Sequence, residues 1–202
     1  MTDCCEITEL SARQRRVLQV VLAVNAAMFL LEFGAGLLAH STALLADSVD
    51  MLGDAIVYGF SLYVVGRGPR WKGRGALLKG VIMAAFSAGV LVEVSLKIAR
   101  GLIPAAELMS TIGIVALAAN ASVLVILWRH RSDDINMRSA WLCSRNDVIA
   151  NATVVLAAAG VALTGSAWPD IVVGLAIAAL FGTSAVEVIH TARRELRAVS
   201  VG

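Results

Sequence analysis

Long apolar runs, each about the length of a membrane span, recur six times along the 202 residues, separated by short polar or Gly/Pro-containing stretches. An α-helix needs roughly 20 apolar residues to cross the hydrocarbon of a bilayer. The pattern predicts spans over 16–38, 44–65, 76–98, 108–128, 139–163 and 171–189. A turn near His40 separates the first two. The segment GRGPRWKGRG, 66–75, follows the second, and its Gly and Pro end that helix. Pro104 lies in the next loop, then come RHRSDDINMR, 129–138, and the turn TGSAWPD. The expected fold is all-α, a bundle of six transmembrane helices over 16–190. A polar N-terminal tail over 1–15 and a basic C-terminal tail over 191–202 flank it. The first run follows Arg13, Arg15 and Arg16 as a signal peptide's would. It is long, contains Glu32 and has no convincing small-residue cleavage site, so it reads as a retained helix.

Composition sharpens this. The chain is 58% hydrophobic and 16% charged, against about 25% charged residues in soluble domains. That excludes an ordinary soluble protein and leaves no room for a sizeable soluble domain. The basic residues fall between spans and not along a surface face, so a nucleic-acid partner is not expected. Their placement also sets topology. Arg13, Arg15, Arg16, Arg67, Arg70, Lys72, Arg74, Lys79, Arg129, Arg131, Arg138, Arg193, Arg194 and Arg197 fall on one side. Only Lys97 and Arg100 fall on the other, while Arg145 lies inside a helix and is expected to snorkel. The positive-inside rule then puts both termini in the cytoplasm. Cys4, Cys5 and Cys143 form no disulfide framework. Cys4 and Cys5, beside Asp3 and Glu6, are either reduced thiols of a tail or a pair that hands a soft metal inward. Small residues such as Gly34, Gly36 and Ala157 to Gly160 are a helix-packing signal.

The chemistry lies in residues that are costly in lipid. Asp47, Asp50 and Asp54 are spaced three and four apart in the second span, which places all three on one helix face. Such a stripe is tolerated if some carboxyls are protonated or a cation sits among them. In the fifth span Cys143, Asp147 and Asn151 are each four apart and also share a face. If the two spans face each other, Asp50, Asp54, Cys143 and Asp147 supply four ligands for a tetrahedral divalent site. Three oxygens and one sulfur suit Zn2+, and the thiolate favours Cd2+ more than a histidine would. Binding requires deprotonated ligands, so metal entry releases protons. Asp47 either coordinates at an entry point, relays protons or caps its helix. Glu32 is either a proton carrier or a protonated structural glutamate. Asn25 shares its face. Glu93 is expected to pair with Lys97 at i,i+4, with a proton or metal role as the alternative. Asn120 and Ser122 are expected to hydrogen-bond between helices, and His40 and His130 to lie in loops. A thiol enzyme using Cys143 would need a nearby base, and no histidine falls within the spans near it. Neither an enzyme nor a resident cofactor is expected.

The run STALLADSVDMLGD, ending at Asp54, and the later CSRND, Cys143 to Asp147, resemble the cation diffusion facilitator family of metal transporters. The resemblance implies six spans with cytoplasmic termini and a metal site made of two i,i+4 pairs, in spans two and five. Those pairs fall here on Asp50 with Asp54 and on Cys143 with Asp147. The first ligand of the second pair is usually His or Asp in that family, so Cys143 is a departure that bears on metal preference. Members usually carry a cytoplasmic C-terminal domain after the sixth span, and this chain reads as a short form without it. The resemblance implies a homodimer in the plasma, or inner, membrane that exports Zn2+ or a related cation in exchange for protons. The competing reading is a non-transporting metal-binding or regulatory partner subunit.

Overall fold

The computed structural model describes residues 12–64, 69–131 and 135–201. Among these are six helices and no strand: α1 (Ala12–Ala39), α2 (Thr42–Val64), α3 (Pro69–Arg100), α4 (Ala106–Trp128), α5 (Ile135–Thr164) and α6 (Trp168–Val201). Cys4 and Cys5, and with them the metal-delivery alternative, lie outside the described residues. Five helices are long and apolar enough to cross a membrane: α1, α3, α4, α5 and α6. The sixth, α2, is 23 residues long, about 34 Å at 1.5 Å per residue, and carries the three aspartates.

A helix covers each of the six expected spans, five of them long and apolar enough to cross a membrane, and several run past the expected limits. Pro69 opens α3 inside the segment read as a basic loop. That suits a residue whose missing N–H costs nothing in a first helical turn. At the other end of the chain α6 continues to Val201, beyond the span limit at 189. The three turns after α1, α3 and α5 each carry a left-handed residue: His40 at φ 52°, Gly101 at φ 62° and Gly165 at φ 60°. At the first, Ser41 N–H donates to Gly36 C=O at 2.9 Å, and at the second, Leu102 N–H donates to Lys97 C=O at 3.2 Å. These bonds satisfy carbonyls a helix end would leave unpaired. Gly101 and Gly165 reach that conformation without steric cost, whereas His40 does not.

The bundle is apolar outside and polar within. Leu30, Leu38, Leu91, Leu156, Leu163 and Leu180 are exposed, while Asn25, Glu32, Asp47, Lys97, Asn120 and Asp170 are buried. A soluble protein distributes these types the other way, and the inversion is that of a helix bundle in lipid. Trp128 and Trp168 are exposed at opposite ends of the bundle, where aromatic belts meet the headgroups. Arg131 stacks over Trp128 at 3.8 Å, and Arg145 is exposed beside Trp141, in line with snorkelling.

The strongest pairings are α3 with α6, α1 with α2 and α4 with α5. The aspartate-bearing α2 is the hub: it packs against α1, α3 and α6, and more sparsely against α5. Gly174 of α6 lets α2 come this close, because a Cβ there would stand 2.7 Å from the backbone carbon of Thr42.

Lys97 does not take the partner expected for it. It pairs with Asp170 of α6, and both side chains are completely buried; Glu93, four residues before it, is half-buried. A Lys ammonium with no access to water needs an opposite charge that is equally enclosed, and Asp170 is. Asn120 crosses to α2, donating to Met51 Sδ at 3.6 Å. Ser122 instead is exposed and turns back on its own helix, to Ala118 C=O at 2.8 Å.

Candidate metal centre

The N-terminus of α2 is fixed from outside its own sequence. Asp170 accepts from Ser41 Oγ at 2.6 Å and Ala43 N–H at 3.0 Å through Oδ1. Through Oδ2 it accepts from Thr42 N–H at 2.8 Å, Thr42 Oγ1 at 2.6 Å and the Lys97 ammonium. Ser41 Oγ in turn accepts Leu44 N–H at 3.1 Å, as an N-cap does. A carboxylate on α6 thus satisfies the orphan donors of α2, at the end where the helix dipole is positive. With that end capped by Ser41 and Asp170, Asp47 lies in the second turn of α2 and does not cap it.

From this anchor α2 carries its acids inward. Asp47 and Asp54 are buried, and Asp50 between them keeps partial exposure. On α5, Cys143, Asp147 and Asn151 are buried on one face. The side chains of Asp50 and Asp147 come within hydrogen-bonding reach of each other, and Asp54 and Asp47 act electrostatically on Asp147. Glu32 of α1, also buried, is near enough for Asp47 and Asp50 to act on it electrostatically. Two carboxyl groups in contact need a shared proton or a cation between them.

Helices α2 and α5 run in opposite directions if each helix crosses the bilayer in turn. With Asp50 opposite Asp147, one helical turn along α2 and one back along α5 bring Asp54 and Cys143 to the same level. Tyr58, fully buried, stands beside Asp54. Among the described residues no three His, Cys, Asp or Glu side chains form a ready-made metal cage.

Several buried acceptors in this region have no hydrogen-bond partner among the described residues: Asp54 Oδ2, both oxygens of Asp47, both of Glu32, and Asn151 Oδ1. The amide of Asn151 donates to Asp147 C=O at 2.9 Å in its own helix, leaving its oxygen directed elsewhere. Buried acceptors without donors are costly in a protein interior and are the groups a cation or proton would satisfy.

Sequence reasoning missed three residues here. Asp170 falls in the stretch that the pattern predicts as a turn, and the i,i+4 rule pairs Lys97 with Glu93. Lys79, expected only as a basic residue marking the cytoplasmic side, lies over Gly53 from α3 and acts electrostatically on Asp54 and Asp50. The Pro-Asp start of α6 was the available signal for Asp170, since an acid in a first helical turn next to Pro marks a helix start; nothing in it names the helix that Asp170 caps.

The transmembrane domain of the cation efflux family matches residues 18–197. No curated protein matches the chain.

Proposed function

The chain belongs to the cation efflux family, whose members move cations across membranes, and on that premise we propose that it exports Zn2+ or Cd2+ in exchange for protons. The proposed ligands are Asp50 and Asp54 of α2 with Cys143 and Asp147 of α5. The observation that supports this reading is the contact between Asp50 and Asp147 across two helices that otherwise pack sparsely. A sparsely packed pair of helices with carboxyl groups between them can close when a cation binds and open when protons replace it. Carboxylates and thiolate bind metal only when deprotonated, so metal and protons compete for the same atoms. Alternating exposure of a mid-membrane site then couples the two fluxes. Glu32, Asp47 and Asn151, buried next to the proposed ligands, are suited to a secondary metal or proton relay. The reading includes a homodimer in the plasma, or inner, membrane, as the family resemblance implies.

The test is metal uptake into proteoliposomes under an imposed pH gradient. Flux that collapses in Asp54→Ala and Asp147→Ala supports the reading. Stoichiometric metal binding without flux would instead identify a metal-binding partner subunit, and flux unchanged by both substitutions would remove the proposed site.

A further inference from the structure

The approach to the proposed ligands holds a cation of the protein's own. Helix α3 lies against α2, and Lys79 and Met83, one turn apart on α3, cover Gly53 of α2. A Cβ on Gly53 would stand 3.6 Å from Lys79 Cε and 3.5 Å from Met83 Sδ. The lysine stem therefore lies across α2 where that helix has no side chain. Gly53 directly precedes Asp54, and the Lys79 ammonium acts on the carboxyl groups of both Asp54 and Asp50. Lys79 is ten residues into α3, counted from Pro69, and Asp54 is ten residues from the end of α2 at Val64. In antiparallel helices those positions lie at one depth, on the cytoplasmic side of Asp50.

We propose that Lys79 is a tethered counter-cation that competes with the transported metal for Asp54 and Asp50, and so sets the affinity of the site. The inference rests on the reading that those two residues are metal ligands. A site of three carboxylates and a thiolate carries more negative charge than a divalent ion neutralises. Such a site would hold its ion too tightly to release it. A lysine beside the site offsets one of those charges, and its flexible four-carbon stem can withdraw as metal enters and return as it leaves. Met83 beside it gives the stem an adaptable apolar bed. The effect of that positive charge falls on binding strength. A lysine with a purely structural role would tie α3 to α2, and its removal would loosen the site instead of tightening it.

Calorimetric titration of Zn2+ into the purified full chain separates the two, using wild type, Lys79→Gln, Lys79→Arg and Asp54→Asn. Lys79→Gln is expected to lower Kd by about tenfold, the scale of one partly screened nearby charge, while Lys79→Arg stays near wild type. In proteoliposomes the same Lys79→Gln variant is expected to show a lower KM and a lower kcat, because tighter binding slows release. Lys79→Met serves as a second neutral variant where Lys79→Gln does not fold. Kd unchanged or weaker in the folded neutral variant, with wild-type binding still dependent on Asp54, overturns this inference alone. Wild-type binding that is absent or indifferent to Asp54→Asn overturns both it and the proposed ligand set.

Discussion

The ammonium of Lys97 and the carboxylate of Asp170 form a completely enclosed ion pair between α3 and α6, and the same carboxylate caps α2. One side chain therefore joins the three helices at the end of the bundle opposite the termini. Pairing alone repays the desolvation of two charges poorly. Asp170 adds four further donors from Ser41, Thr42 and Ala43, which makes the pair part of the anchorage of α2. The depth and rotation of α2 are set there, and with them the positions of Asp47, Asp50 and Asp54.

Breaking that pair from one side leaves a buried charge without its counterpart. Asp170→Ala is expected to destabilise the protein by about 3–5 kcal/mol, read as a loss of thermal stability in detergent. Lys97→Met combined with Asp170→Asn keeps donors and acceptors near α2 without an isolated charge. It is expected to be closer to wild type than Asp170→Ala. A swap, Lys97→Asp with Asp170→Lys, restores the charges but not the cap, and is expected to remain destabilised.

At Gly174 the limit is space. A Cβ would meet the Thr42 backbone at 2.7 Å, and a main-chain atom of a capped turn cannot move aside as a side-chain tip can. Gly174→Ala is expected to cost about 1–3 kcal/mol, the range of overpacking in a tight contact. Gly34→Ala, where a Cβ meets nothing within 4 Å, is the control and is expected to leave thermal stability within experimental error.

The sulfur of Cys143 distinguishes the proposed set from one made of carboxylate and imidazole alone. Cys143→His is expected to lower the ratio of Cd2+ to Zn2+ affinity, since imidazole is the harder ligand. Parallel titrations with the two metals measure it. Cys143→Ala, which removes a ligand, is expected to weaken both.

Metal binding should be linked to pH through the deprotonation of the ligands. Affinity for Zn2+ is expected to fall as pH falls, because protons occupy the carboxylates and the thiol. Titration in buffers of different ionisation enthalpy then reveals proton release. Affinity independent of pH between mildly acidic and neutral conditions would remove the proton-exchange part of the proposal.

The apolar runs determined six helices, five of them long and apolar enough to cross a membrane, because the cost of polar groups in hydrocarbon falls on each residue and is legible along the chain. The spacing of Asp50 with Asp54 and of Cys143 with Asp147 was equally legible, since residues four apart share a helix face whatever surrounds them. Which helix each face would meet was not. In lipid the outward face of a span is at least as apolar as its packed face, so hydrophobicity does not point inward as it does in a soluble helix. Lys97 illustrates the limit: the near neighbour Glu93 satisfied the local rule, yet the partner stands 73 residues further along the chain. Only the packing of α3, α6 and α2 brought Asp170 to Lys97 and Lys79 to Asp54, because charge pairs form where helices touch, at places that local spacing along one helix does not encode.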